Sequence, residues 1–263
     1  MQFRNLTAVI SLLFLFPLFS CATTSVKNKS DCPEKTVTIE KGDSKKNAEN
    51  ASKVPYNASR EDKVKAFETA DCAHKKDAED KEIALILARA SFMLADIETK
   101  NSLIEKFAVI GKDALESLNM AMDSPRASYF YATNLGLIVR IQGLFGIKKI
   151  PVIISTLNNA LKDPSIDQGG PLRSLGMLYL KTPQSLGGDV DKAIDLLEKA
   201  AKTYPDHPQN HYFYAEALIE DGDEDGAKRE LEQARKLLSV QKWGSDYVKI
   251  WQTDIEKIEK KLK

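Results

Sequence analysis

The sequence predicts an all-α fold, a solenoid of helical hairpins with expanded hairpin tips and a C-terminal capping helix, and three observations carry that prediction. Of 263 residues 43% are hydrophobic but only 8% aromatic, and the apolar remainder is mainly Ala, Leu and Ile, which favour helices over strands. Ala193, Leu197 and Ala200 recur as Ala227, Leu231 and Ala234, each displaced by 34 residues. Small residues at i and i+7 with a large one at i+4 share one helical face, so neighbouring backbones approach while the large side chain fills the gap. The 38 Lys+Arg balance the 38 Asp+Glu, which argues against a basic nucleic-acid binder, a polyacidic tail and a disordered chain.

Residues 1–20 read as an export signal. Arg4 precedes an apolar stretch from Leu6 to Phe16, shorter than the roughly 20 residues a spanning helix needs. Leu18-Phe19-Ser20-Cys21 resembles the lipobox of bacterial lipoproteins, with Phe19 as a departure, and that resemblance implies lipid on Cys21. The alternative is a secreted protein with a chance Cys near its cleavage site. Residues 21–59 are polar, rich in Lys, Asn and Ser, and read as a flexible tether. Ala22 in place of Asp implies an outer-membrane anchor facing the periplasm, with the inner membrane left open. In such an oxidising compartment Cys32 and Cys72 either pair or remain two independent thiols.

Residues 60–238 form the expected repeat domain. The second-helix pattern appears again as Ala114, Leu118, Ala121, as Ile153, Leu157, Ala160, and in degenerate form as Lys63, Phe67, Ala70. First-helix candidates are Leu87-Ala88 with Ser91, Leu135-Gly136 with Val139, Leu175-Gly176 with Tyr179, and Tyr214-Ala215 with Leu218. Together with Pro205 they resemble the tetratricopeptide consensus, whose period is 34. From the small residue of one helix to that of the next, Ala215 to Ala227 spans 12, but Gly136 to Ile153 and Gly176 to Ala193 span 17, and Ala88 to Ala114 spans 26. Three hairpins therefore carry expanded tips on one edge: Gly143–Pro151, Lys181–Asp189, and extra helix between Asp96 and Lys112. Over 239–263, Trp243 to Leu262 places apolar residues at spacings of three and four, the pattern of a capping helix.

Tyr129-Phe130-Tyr131-Ala132-Thr133-Asn134-Leu135-Gly136, Gly169-Gly170-Pro171-Leu172-Arg173, Gly187-Gly188-Asp189 and Asn210-His211 resemble the TatT family, tetratricopeptide lipoproteins associated with TRAP-type transporters. The resemblance implies a periplasm-facing scaffold that binds the soluble substrate-binding component of such a transporter. The alternatives are an assembly or pilot lipoprotein of an outer-membrane complex, and a carrier of a hydrophobic ligand. A homo-oligomer stays open.

In tetratricopeptide arrays the first helices line the concave groove. Here that places Phe130, Thr133, Leu137 and Arg140, then Arg173, Met177 and Leu180, then Gln209, Tyr212 and Glu216 along it. Such a lining suits a partner helix or an amphipathic carboxylate paired with Arg140 or Arg173. Alternatively the expanded tips fold over the groove, and Arg173 is tied to a nearby carboxylate or carbonyl. Leu144, Phe145 and Ile147, bounded by glycines, form either a partner-contact patch or packing against the next tip.

No cofactor or metal is expected. Asp221-Gly-Asp223-Glu-Asp225-Gly226 followed by Glu232 fits a calcium-loop pattern, but Ala227, Leu231 and Ala234 require a helix beginning near Asp223. His207 and His211 flank Pro208 with no third ligand nearby. No nucleophile elbow, phosphate loop, dinucleotide fingerprint or zinc spacing occurs, so the sequence predicts a binding module and not an enzyme.

Overall fold

A computed structural model describes Cys32 and residues 41–262. The signal over 1–20, the lipid site at Cys21 and most of the expected tether lie outside the described residues. The helices are α1 (Lys41–Ser52), α2 (Arg60–Lys76), α3 (Lys81–Ala95), α4 (Asn101–Glu116), α5 (Pro125–Gln142), α6 (Ile150–Ala160), α7 (Gly170–Lys181), α8 (Val190–Thr203), α9 (Pro208–Asp221), α10 (Glu224–Lys236), α11 (Val240–Trp243) and α12 (Ser245–Glu259). Short 3-10 segments cover Met120–Met122, Gly143–Lys149, Gln184–Leu186 and Lys260–Leu262. No strand occurs among the described residues, and no helix there is long and apolar enough to cross a membrane.

Side chains start these helices where the sequence changes character. Ser59, Asp80, Ser124, Asp189 and Asp223 each accept a backbone N–H from the first turn of the helix that follows. Each such cap contributes about 0.5–2 kcal/mol. Pro125, Pro171 and Pro208 occupy first turns, where the missing N–H costs nothing.

Consecutive helices pack as hairpins, α3 with α4, α5 with α6, α7 with α8, and α9 with α10. The recurring positions form the seams: Ile153, Leu157 and Ala160 on α6, Ala193, Leu197 and Ala200 on α8, and Ala227, Leu231 and Ala234 on α10 are all buried. Gly176 shows why the first-helix position stays small, since a Cβ there would lie 2.7 Å from Leu197 Cγ. Each buried Leu contributes roughly 1.5–3 kcal/mol.

The structure corrects the expected layout in three places. Between Asp96 and Lys112 there is no extra helix; a short turn leads into α4, the second helix of the hairpin itself. The copy Ala114, Leu118, Ala121 fails, because α4 ends at Glu116 and Asn119 turns the chain at a φ of 55°. Of that copy only Ala114 belongs to the buried stripe of α4, with Ile104, Phe107, Ala108, Gly111 and Leu115.

The stretch expected as tether contains α1, whose Ala48 and Ala51 are buried, and α1 packs on α2 and α3. Two alanines in a Lys- and Asn-rich segment carry too little hydrophobic signal to mark a helix, and tertiary packing supplies the rest. Cys32 is disulfide-bonded to Cys72 of α2, with Cα atoms 5.6 Å apart. Farther along, Arg89 donates to the Val54 carbonyl and Asn57 to the Gln241 carbonyl.

The C-terminal segment does more than cover the end of the array. α12 packs on α9 and α10, and Tyr247 also reaches the first hairpin, its hydroxyl 3.5 Å from the Met93 carbonyl and its ring 5.7 Å from Tyr56. Lys63 of α2 is buried beneath it, donating to the Ala58 carbonyl with its ammonium 4.9 Å from the Tyr247 ring centroid. The two ends of the described helical array thus meet across the concave side.

Candidate functional site

The first helices α5, α7 and α9 converge on a cavity of about 720 Å³, within the range of roughly 300–1,000 Å³ usual for small-molecule sites. Its walls are apolar and aromatic. Leu137, Ile150, Ile153, Leu157 and Met177 supply aliphatic surface, while Tyr56, Phe92, Tyr129, Tyr247 and Trp251 form the aromatic side. The expanded tips frame it: Gly143, Leu144 and Ile147 come from one, Lys181, Thr182 and Pro183 from the other.

Of the residues expected along the groove, Thr133, Leu137, Arg140, Arg173, Met177 and Gln209 line this cavity, as do Leu144 and Ile147 from the tip. Phe130 instead packs in the core, its ring 5.2 Å from that of Tyr129. Tyr212 is buried, receives a hydrogen bond from Gln209, and does not line the cavity. Leu180 lies half-buried away from the lining. Glu216 is buried and bound by Lys181 at 2.7 Å and Lys261 at 2.6 Å, which together hold its carboxyl below the usual carboxylate range despite its burial. The two departures on α9, Tyr212 and Glu216, share one cause: α12 lies against α9, and the groove there is filled by the protein's own helix.

Arg173 takes the second of the roles open to it. Its guanidinium, buried, forms an ion pair with Asp167 and donates to the Asp167 carbonyl at 2.7 Å and the Gln168 carbonyl at 3.2 Å. Asp167 and Gln168 stand at φ of 53° and 48°, a left-handed backbone costing about 1–3 kcal/mol per residue. Arg173 holds that turn, joined by the Tyr129 hydroxyl donating to Asp167 and by Asn210 donating to the Gln168 carbonyl. Arg140 remains exposed at the rim.

Phe145 and Leu144 are 86% and 83% exposed, side by side at the mouth, while Ile147 turns inward beside them. This apolar pair is the most exposed large hydrophobic surface among the described residues.

The histidines hold no shared site. His207 caps α9, accepting from the Gln209 N–H, and lies among Trp243 and Trp251, where burial lowers its pKa well below the ordinary value. His211 contacts Glu230 at 2.6 Å and the Pro205 carbonyl at 2.7 Å; burial disfavours its charge, but these two acceptors prevail and raise its pKa. Asp223 is spent on capping α10, whose helix begins at Glu224 within the segment that matched a calcium loop. No group of three or more potential metal ligands occurs among the described residues.

Sequence reasoning missed Tyr56, Asp96 and Trp251 as lining residues. Tyr56 lay in the supposed tether, Asp96 in the supposed insertion, and Trp251 on the supposed cap. Only chain closure brings the three to one cavity.

No curated protein matches the chain. Residues 187–238, covering α8, α9 and α10, match the family model described as Tetratricopeptide repeat, so the chain carries that repeat, and with it a fold that typically serves as a non-catalytic scaffold for protein–protein interaction.

Proposed function

We propose that this chain is a lipid-anchored scaffold that docks a soluble protein partner at the mouth of its concave cavity, and that the partner is the substrate-binding component of a TRAP-type transporter. The observation that carries the reading is the placement of Leu144 and Phe145, exposed beside an apolar cavity framed by the two expanded tips. Apolar side chains so displayed are a cost in water unless a partner covers them. The partner's identity rests on the TatT resemblance. The anchor rests on Cys21 and would place the cavity facing the periplasm, raising the partner's effective concentration at the membrane.

A second reading shares the same site. A cavity of about 720 Å³ with aliphatic and aromatic walls suits a hydrophobic ligand, so the scaffold would also act as its carrier.

Affinity capture of the anchored protein from mild detergent tests the first reading. Recovery of a soluble solute-binding protein, lost when Phe145→Asp is introduced, is the expected result. Recovery of outer-membrane assembly proteins alone would replace it with an assembly or pilot role.

A further inference from the structure

The polar groups around the cavity are unequally satisfied. Arg173 is neutralised by Asp167, Lys181 is held by Glu216, and His207 accepts from a backbone N–H. Asp96, just past the end of α3, is different. It lines the cavity, and no hydrogen bond or ion pair to its carboxylate is formed by the described residues. It is half-buried, so the carboxylate keeps part of its contact with water, but without protein donors and beside apolar walls its charge is destabilised.

The ionisable groups that act on Asp96 come from several elements. Arg140 of α5 and Arg173 of α7 favour its charge, while Asp167 of the turn before α7 and Asp254 of α12 oppose it. Tyr129, Tyr212 and Tyr247 sense its field, as does Lys63 of α2. Burial outweighs the two arginines and pushes the Asp96 carboxyl up to about 6, which still leaves it mainly ionised at neutral pH.

We propose that the cavity receives an amphiphile with a primary ammonium head, seated on the Asp96 carboxylate with its tail against Leu137, Ile153, Leu157 and Met177. The proposal rests on the carrier reading and specifies the class of ligand. An ammonium brings both the charge and the hydrogen-bond donors that Asp96 lacks. Part of the desolvation of the half-buried carboxylate has already been incurred in folding, so the ligand completes less of it than at an exposed site.

A carboxylate head on Arg140 is the competing arrangement, and the burial of the two sites decides between them. Arg140 is exposed at the rim, where an ion pair forms in water and changes affinity by roughly fivefold at most. A charge-assisted hydrogen bond to the half-buried Asp96 in the cavity wall is worth about tenfold or more.

Octylamine and octanoate are matched probes for the full chain, titrated at pH 7.5 with heat and the fluorescence of Trp251 in the cavity wall as readouts. Octylamine is expected to bind about tenfold or more tightly than octanoate, and Asp96→Asn to remove most of that preference. The substitution is nearly isosteric and deletes a half-buried charge that has no partner among the described residues, so the variant is expected to fold. On the unmodified chain the octylamine affinity is expected to fall between pH 7.5 and pH 5 as Asp96 takes up a proton, the probe itself staying cationic. Octanoate binding as tightly as octylamine, or a preference that survives both Asp96→Asn and acidification, overturns the head-group assignment and leaves the carrier reading standing. Binding of neither probe overturns both.

Discussion

The α9–α10 and α5–α6 hairpins use the same seam positions and end in opposite ways. Between their small first-helix and second-helix residues, α9–α10 spans 12 positions and α5–α6 spans 17. The shorter one turns tightly at Gly222, whose φ of 88° suits glycine, and Asp223 caps the next helix at once. Residues 221–223 contribute nothing to the cavity, whereas the longer tip contributes Gly143, Leu144 and Ile147 to its mouth. The α7–α8 tip, also expanded, supplies Lys181, Thr182 and Pro183. The repeat positions hold the array together, and the residues added between them build the candidate site.

That division can be broken most forcefully at Arg173, which belongs to both parts. Arg173→Met leaves Asp167 buried without its cation and frees the left-handed turn, and should cost about 3–5 kcal/mol in urea denaturation. A loss under about 1 kcal/mol would mean that the pair is not enclosed as described.

Truncation at a seam comes next. Leu197→Ala, fully buried against Gly176, should cost about 2–5 kcal/mol by the same measurement. Leu231→Ala on α10 should behave alike, because both positions do the same work one repeat apart.

The His211–Glu230 contact tests the regular hairpin electrostatically, with a smaller effect. His211 binds its proton more tightly in the fold than at its ordinary value of 6.5. Its contribution is therefore complete below pH 6.5 and declines as pH rises through the higher folded value. Thermal melts across that window should show the decline, and His211→Gln should flatten it.

The smallest stability effect belongs to the site itself. Phe145→Ser should change stability by no more than about 0.5 kcal/mol in urea denaturation, since the ring touches little of the core. A substantially larger loss would show that the tip is part of the core and erase the contrast with the seams.

Much of the fold was legible for a physical reason. Ala193, Leu197 and Ala200 are small, large and small where two helices approach closely, and the pattern recurs as Ala227, Leu231 and Ala234 and, with Ile153 in the first place, on α6. The same pattern misled at Ala114, Leu118 and Ala121, where the spacing is present but Asn119 breaks the helix. The site was legible along α5, α7 and α9 and at the tip residues Leu144 and Ile147. Thr133, Leu137, Met177 and Gln209 were placed by repeat position, while Tyr212 and Glu216, at equivalent positions, were covered by α12.

Local sequence by itself determined the all-α class, the seams of α6, α8 and α10, the helix starts at Ser124, Asp189 and Asp223, and the sites of the expanded tips. Each depends on residues within a turn or a repeat of one another. Tertiary structure alone decided that α1 packs on the first hairpin, that Arg173 faces Asp167 and not a ligand, and that Tyr56, Asp96 and Trp251 share one cavity. Those outcomes depend on the two ends of the described array meeting, as Tyr247 does with Met93 at a sequence separation of 154, and no local pattern encodes how many hairpins it takes to curve that far.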